Sequence, residues 1–217
     1  LMEVVLKILF IQLLLVATNI PLFFSLAFVR LTAGTLLVFV ALSVGVFPTL
    51  TSIFTLLRVM KKSDTVKDWL HIFGQYYARD WKKAWSLAVS GTVLLLVLTY
   101  DFLYVNALHI SSVFLYATAI AIVILIGLMM LSSYVLSLYD LTLRSIVWDS
   151  VYLFIGHIPR MALIVAVNLG IIALTKGTNW PILQLTFVGI DVFFSYYLLK
   201  PLTHQKFVDE KGSVTHD

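Results

Sequence analysis

The feature that most limits what this chain can become is a series of six apolar runs, at about residues 4–28, 33–58, 84–105, 113–138, 158–175 and 180–199. Crossing the hydrocarbon core of a bilayer takes about 20 consecutive, mostly apolar helical residues, and each run is of that order. Inside lipid the backbone has no water to bond to, so only helices or closed barrels cross. These runs are continuous rather than alternating, and rich in Leu, Ile and Ala, which is not the pattern of barrel strands. The expected fold is all-α: a polytopic membrane protein, with a six-helix transmembrane bundle forming a single integral membrane domain over residues 1–217. The fifth and sixth runs are the shortest, so five spans plus one re-entrant piece is the alternative. Composition points the same way. The 217 residues are 61% hydrophobic and 12% charged, with a mean hydropathy of +1.00, whereas soluble domains carry about 25% charged residues.

Basic residues give these runs an orientation. With the N-terminus inside, the inner segments hold Lys7, then Arg58, Lys61, Lys62, Lys67, Arg79, Lys82 and Lys83, then Arg144 and Arg160, then Lys200, Lys206 and Lys211. That is 13 of the 15 Lys and Arg residues, leaving Arg30 and Lys176 outside. Translocation disfavours Lys and Arg, so both termini are expected in the cytoplasm, with 200–217 as a cytoplasmic tail. The net charge of +4 then reads as topological, and no nucleic-acid partner is expected. The first run is far longer than a signal-peptide core and lacks a small-x-small cleavage site, so it is expected to stay as a span. With no cysteine in the chain, disulfides, thiolate metal sites and Cys nucleophiles are excluded.

The inner segments carry their own patterns. In SDTVKDWLHIFGQYYARDWKKAW, Thr65 and Asp68 have the spacing of a capping box, and Val66, Trp69, Leu70, Phe73 and Tyr77 recur at helical spacing. A cytoplasmic amphipathic helix at the headgroup level is expected, with Trp81 and Trp85 marking the interface. A helix that docks another protein is the alternative, and makes Trp69, Phe73 and Tyr77 partner contacts. YDLTLRSIVWDSVYLFIGHIPR reads as a second such elbow, with Asp140 and Arg144 placed to pair and Trp148, Val151, Tyr152 and Ile155 on its apolar side. In GVFPTLTSIFTLLRVMKKSDT, Gly45, Thr49 and Ser52 form a small-residue face suited to close helix packing. Pro48 removes a backbone donor and is expected to bend the second span.

Ionisable groups inside a membrane are functional candidates by default. Asp191 is the foremost, on one helical stripe with Gln184 and Ser195, and Asn168 is its expected hydrogen-bond partner. Either this stripe binds a cation or polar substrate, or Asp191 fixes helix packing. Asp101 and His109 are outer-face candidates for a membrane enzyme acting on lipid or glycan. The histidines are scattered without helical metal-site spacing. No phosphate-binding G-x-x-x-x-G-K-[ST] loop, G-x-S-x-G elbow or H-E-x-x-H helix occurs. The expectation is a non-enzyme without cofactor, metal or bound nucleotide.

Asn19, GVFPTLTSIFTLLR at 45–58, DWLHIFGQYYARDWKKAWSLAVSG at 68–91, Tyr100-Asp101 and IGHIPR at 155–160 together resemble the YesL-like family of bacterial membrane proteins, labelled a domain of unknown function. The 45–58 stretch is similar to that family's Gly-x-x-Pro-Ala-x-x-Ala-Leu block ending in Arg, with Thr49 where the family has Ala. Such proteins are typically encoded beside carbohydrate uptake and glycan-degradation genes, often next to sugar ABC importer components. The resemblance implies an accessory, non-catalytic membrane subunit in the bacterial cytoplasmic membrane, associating with the permease subunits of a carbohydrate ABC importer and supporting sugar uptake. The inner segments lack the EAA-type motif of importer permeases, which argues against the pore subunit itself. The alternative is a small stand-alone transporter or channel using Asp191, Asn168 and Gln184.

Overall fold

A polar or proline residue inside an apolar run decides where a membrane helix breaks, and the first two runs break in this way. The computed structural model describes residues 2–30, 32–60, 65–108, 112–164, 166, 190 and 192–201. The first run is two helices, α1 (Met2–Thr18) and α2 (Ile20–Phe28). At the junction the Asn19 N–H is shared between the Leu15 and Val16 carbonyls, both at 3.2 Å. Pro21 follows in the first turn of α2, where its missing N–H costs nothing. The second run is α3 (Ala33–Leu42), one 3₁₀ turn (Ser43–Gly45) and α4 (Val46–Val59). Pro48 has no N–H to give the Val44 carbonyl, and the 3₁₀ turn lies directly upstream of α4, at that carbonyl.

The next two runs are longer and unbroken. Thr65 caps α5 (Val66–Ala107) with both halves of the expected box: the Thr65 N–H donates to the Asp68 carboxylate at 2.7 Å, and the Asp68 N–H to Thr65 Oγ1 at 3.4 Å. α5 then runs for 42 residues, about 63 Å at 1.5 Å per residue and twice the roughly 30 Å of a hydrocarbon core. This corrects the sequence reading: the 64–83 stretch is not a separate helix meeting the third span at an elbow. No proline separates Lys83 from Ala84, and the helix continues. α6 (Ser112–Leu138) covers the fourth run. Ala33–Val59, Val66–Ala107 and Ser112–Leu138 are each long and apolar enough to cross a membrane. Residues 158–164 and 192–201 are also helical; the rest of the fifth and sixth runs lies outside the described residues, among which no strand occurs.

α4 is the axis of the packing. It lies against α1, α5 and α6, and every residue from Pro48 to Leu56 is buried. Ile53, Phe54 and Leu56 meet Ile11 and Leu15 of α1 and Leu131, Tyr134 and Leu136 of α6 in the core. Side chains facing outward are just as apolar: Val93, Val97, Tyr100 and Tyr104 of α5, and Val113, Phe114, Tyr116 and Ile120 of α6 are all exposed. In water such a surface would be untenable; against lipid tails it carries no penalty. The described part is a membrane protein's helical bundle.

α7 (Leu143–Gly156) corrects a second expectation. It packs along α6, and its Phe154 ring closes on Gly127, where an added Cβ would lie 3.1 Å from the ring. Ile146, Ser150 and Leu153 face inward, while Trp148, Tyr152 and Ile155, the expected packing side, are exposed. Asp140 does not pair with Arg144 on a helical face, because it precedes the helix, whose cap is Thr142; its carboxylate pairs with Lys83.

Candidate functional site

The two helix breaks meet each other. Asn19, between α1 and α2, is 3% exposed, and Thr49, in the first turn of α4, is fully buried. The Asn19 amide donates to the Leu15 carbonyl and to Thr18 Oγ1, each at 3.0 Å, and lies 3.3 Å from Thr49 Oγ1. Thr49 Oγ1 in turn donates within 2.9 Å of Thr18 Oγ1 and 3.0 Å of the Gly45 carbonyl, and Thr18 Oγ1 reaches the Leu14 carbonyl at 2.7 Å. A buried polar group costs free energy unless it is bonded; here the amide nitrogen and each hydroxyl are bonded, to one another and to backbone carbonyls of the two helix breaks. Gly45 lets the elements come this close. A Cβ there would stand 2.6 Å from Asn19 Oδ1.

The hydroxyls further along α4 are used in the same way. Ser52 donates to the Pro48 carbonyl at 3.1 Å and Thr55 to the Thr51 carbonyl at 3.1 Å, both one turn back. Thr55 also lies 3.4 Å from the Ser137 carbonyl of α6. The next carbonyl, Leu138, accepts from Arg58 Nη1 at 3.2 Å. Side chains of α4 thus satisfy the last turn of α6, where carbonyls are orphaned and cations are favoured.

Lys83 of α5 completes this end. Its ammonium binds the Asp140 carboxylate and, at 3.0 Å, the Leu141 carbonyl. That hydrogen bond and charge hold the Asp140 carboxyl below its ordinary value. Nearby on α5, Arg79 grips the buried Asp80 through two bonds of 2.8 and 2.6 Å and stacks 4.6 Å over the Tyr76 ring. The pairing holds the Arg79 guanidinium even more firmly protonated than usual.

Of the residues singled out from sequence, Pro48, Thr49 and Ser52 are buried in the first half of α4, and Gly45 is the half-buried residue just before it. Trp69 and Phe73 are buried in the protein's own core, Trp69 edge-on to Phe10 of α1 at 5.4 Å, and Tyr77 packs half-buried against Phe73. Asp101 is exposed on α5. Asp191, Asn168, Gln184 and His109 lie outside the described residues. Among the described residues no three His, Asp or Glu side chains come together as a metal site would need. The pairing of Thr18 and Asn19 with Thr49 was not read from sequence; the signal was there in Asn19 two residues ahead of Pro21, a polar break inside an apolar run. No protein-family model, curated protein or solved structure matches this chain.

Proposed function

We propose that this chain is an accessory, non-catalytic subunit in the cytoplasmic membrane of a bacterium, one that associates with the permease subunits of a carbohydrate ABC importer and supports sugar uptake. On this reading the bundle has six spans with both termini in the cytoplasm. The end carrying Arg58, Arg79, Lys83 and Arg144 faces the cytoplasm and the importer's ATPase side. The N-terminal part of α5 extends from the membrane there as a continuation of the third span.

One observation carries the reading. Two of the sequence pieces that resemble the YesL-like family, Asn19 and the 45–58 block, are not two sites but meet in one buried contact. The Asn19 amide nitrogen and the Thr18 and Thr49 hydroxyls are bonded within the protein itself. A transport path needs polar groups left over for a substrate, whereas a packing core does not. On this reading the protein works through its outer, helix-packing surface, as an accessory subunit requires.

Uptake measurements separate this from a stand-alone transporter. Proteoliposomes holding the purified chain alone are expected to take up labelled sugars no faster than empty liposomes. Cells lacking the chain are expected to lose importer-dependent uptake, and to regain it with an Asp191→Asn variant. Sugar or cation flux by the isolated chain, abolished in Asp191→Asn, overturns the proposal in favour of the transporter.

A further inference from the structure

Two cavities open beside α7 and share a wall. The deeper, about 220 Å³, lies between α5, α6 and α7, and its lining is apolar apart from serine hydroxyls. The second, about 310 Å³, is bounded by Ser86, Leu143, Arg144 and Trp148. Leu87, Ser90 and Val147 line both, so the two are consecutive stretches of one cleft. Taken together, the two stretches fall within the roughly 300–1,000 Å³ of small-molecule sites.

The cleft changes character along its length. Its outer stretch lies at the first turns of α7, with Arg144 and Trp148 in its wall. Arg144 is exposed and makes no ion pair with another described residue. Trp81, Trp85 and Trp148 at this level are the aromatic residues that favour a membrane–water interface. From Ser86 inward to Leu94 the α5 wall covers two turns, about 12 Å, which is most of the roughly 15 Å in one leaflet of the core. The rim residues Ser90, Leu94 and Val147 are exposed on the lipid-facing side, so entry is sideways from the bilayer.

From this we infer a specific binding site for one anionic phospholipid, its acyl chain in the apolar cavity between α5, α6 and α7 and its phosphate at Arg144. A basic group where headgroups lie, continuing into an apolar slot open to lipid, matches an anionic amphiphile at both ends. Free anions lack the chain and zwitterionic lipids lack the net charge. The site stands whether or not the protein serves an importer.

The test is native mass spectrometry of the detergent-purified full chain titrated with phosphatidylglycerol, phosphatidylcholine or glycerol phosphate. One phosphatidylglycerol is expected to be held at concentrations where the other two are not. Arg144→Gln is expected to weaken phosphatidylglycerol binding by about fivefold to tenfold, the share of one cation at a headgroup, and to erase the preference over phosphatidylcholine. Ser90→Phe, which fills the shared wall from an exposed position, is expected to abolish retention; Val147→Trp blocks the same wall should Ser90→Phe fail to yield a monodisperse protein. Unchanged retention in Arg144→Gln and in the wall-filling variant overturns the site. So does glycerol phosphate binding as strongly as the lipid.

Discussion

Gly45→Ala is expected to destabilise the protein by about 1–3 kcal/mol, the usual cost of forcing an extra carbon into a packed interior. The sign is not obvious in advance. Gly45 has ordinary right-handed backbone angles, φ −69° and ψ −18°, and alanine is the better helix former by about 1 kcal/mol. Against that gain stands a Cβ 2.6 Å from Asn19 Oδ1, closer than non-bonded atoms tolerate. Asn19 cannot simply swing away, because it is 3% exposed and its amide is tied to Leu15 and Thr18. Packing therefore wins. Asn19→Ala alone is expected to cost about 1–3 kcal/mol by removing the buried amide's hydrogen bonds and leaving a cavity between the two helix breaks. In the double variant the clash is gone, so the two losses should fall short of additive by at least about 1 kcal/mol. Reversible unfolding in mixed detergent and SDS measures this cycle; strict additivity would mean that the two helix breaks do not touch.

Phe54→Ala is the other large effect, an expected loss of about 2–4 kcal/mol. Phe54 is fully buried, with its ring 5.7 Å from Tyr134 in a near-perpendicular arrangement and 6.1 Å from Tyr196 in a stacked one. In water, Phe→Ala in a core costs about 3–5 kcal/mol, part of it transfer from water. Within a bilayer lipid replaces water and that part shrinks, but the lost dispersion contacts, the cavity and the aromatic pairings remain. Because the three rings join α4, α6 and the helix at 192–201, hydrogen exchange should rise first around Tyr196. Phe28→Ala, at a side chain 74% exposed, serves as the control and is expected to change little. Equal losses for the two would contradict the placement of α4 at the centre.

These variants also mark how far the sequence could be read. The helices were legible because lipid leaves no other way to satisfy a backbone, and so the 33–58, 84–105 and 113–138 runs coincide with helices able to span. The start of α5 was legible as well, since Thr65 and Asp68 form a local device that needs no tertiary context. Which side of each helix faces inward was not. On α7 the apolar residues Trp148, Tyr152 and Ile155 point out and Ser150 points in. Hydrophobic periodicity finds the inside only where the outside is water. Where the outside is lipid, small and hydroxyl residues mark the interior instead, as Gly45, Thr49 and Ser52 do. The Asn19–Thr49 contact and the Lys83–Asp140 pair join positions far apart in the chain, and no local spacing encodes them.

The association with an importer is tested most directly by purifying the tagged chain from its native membranes in a mild detergent and identifying what comes with it by mass spectrometry. The account predicts the permease subunits of a carbohydrate ABC importer, in amounts comparable to the chain itself. Recovery of the chain without any importer subunit, under conditions where the importer remains assembled, would contradict it.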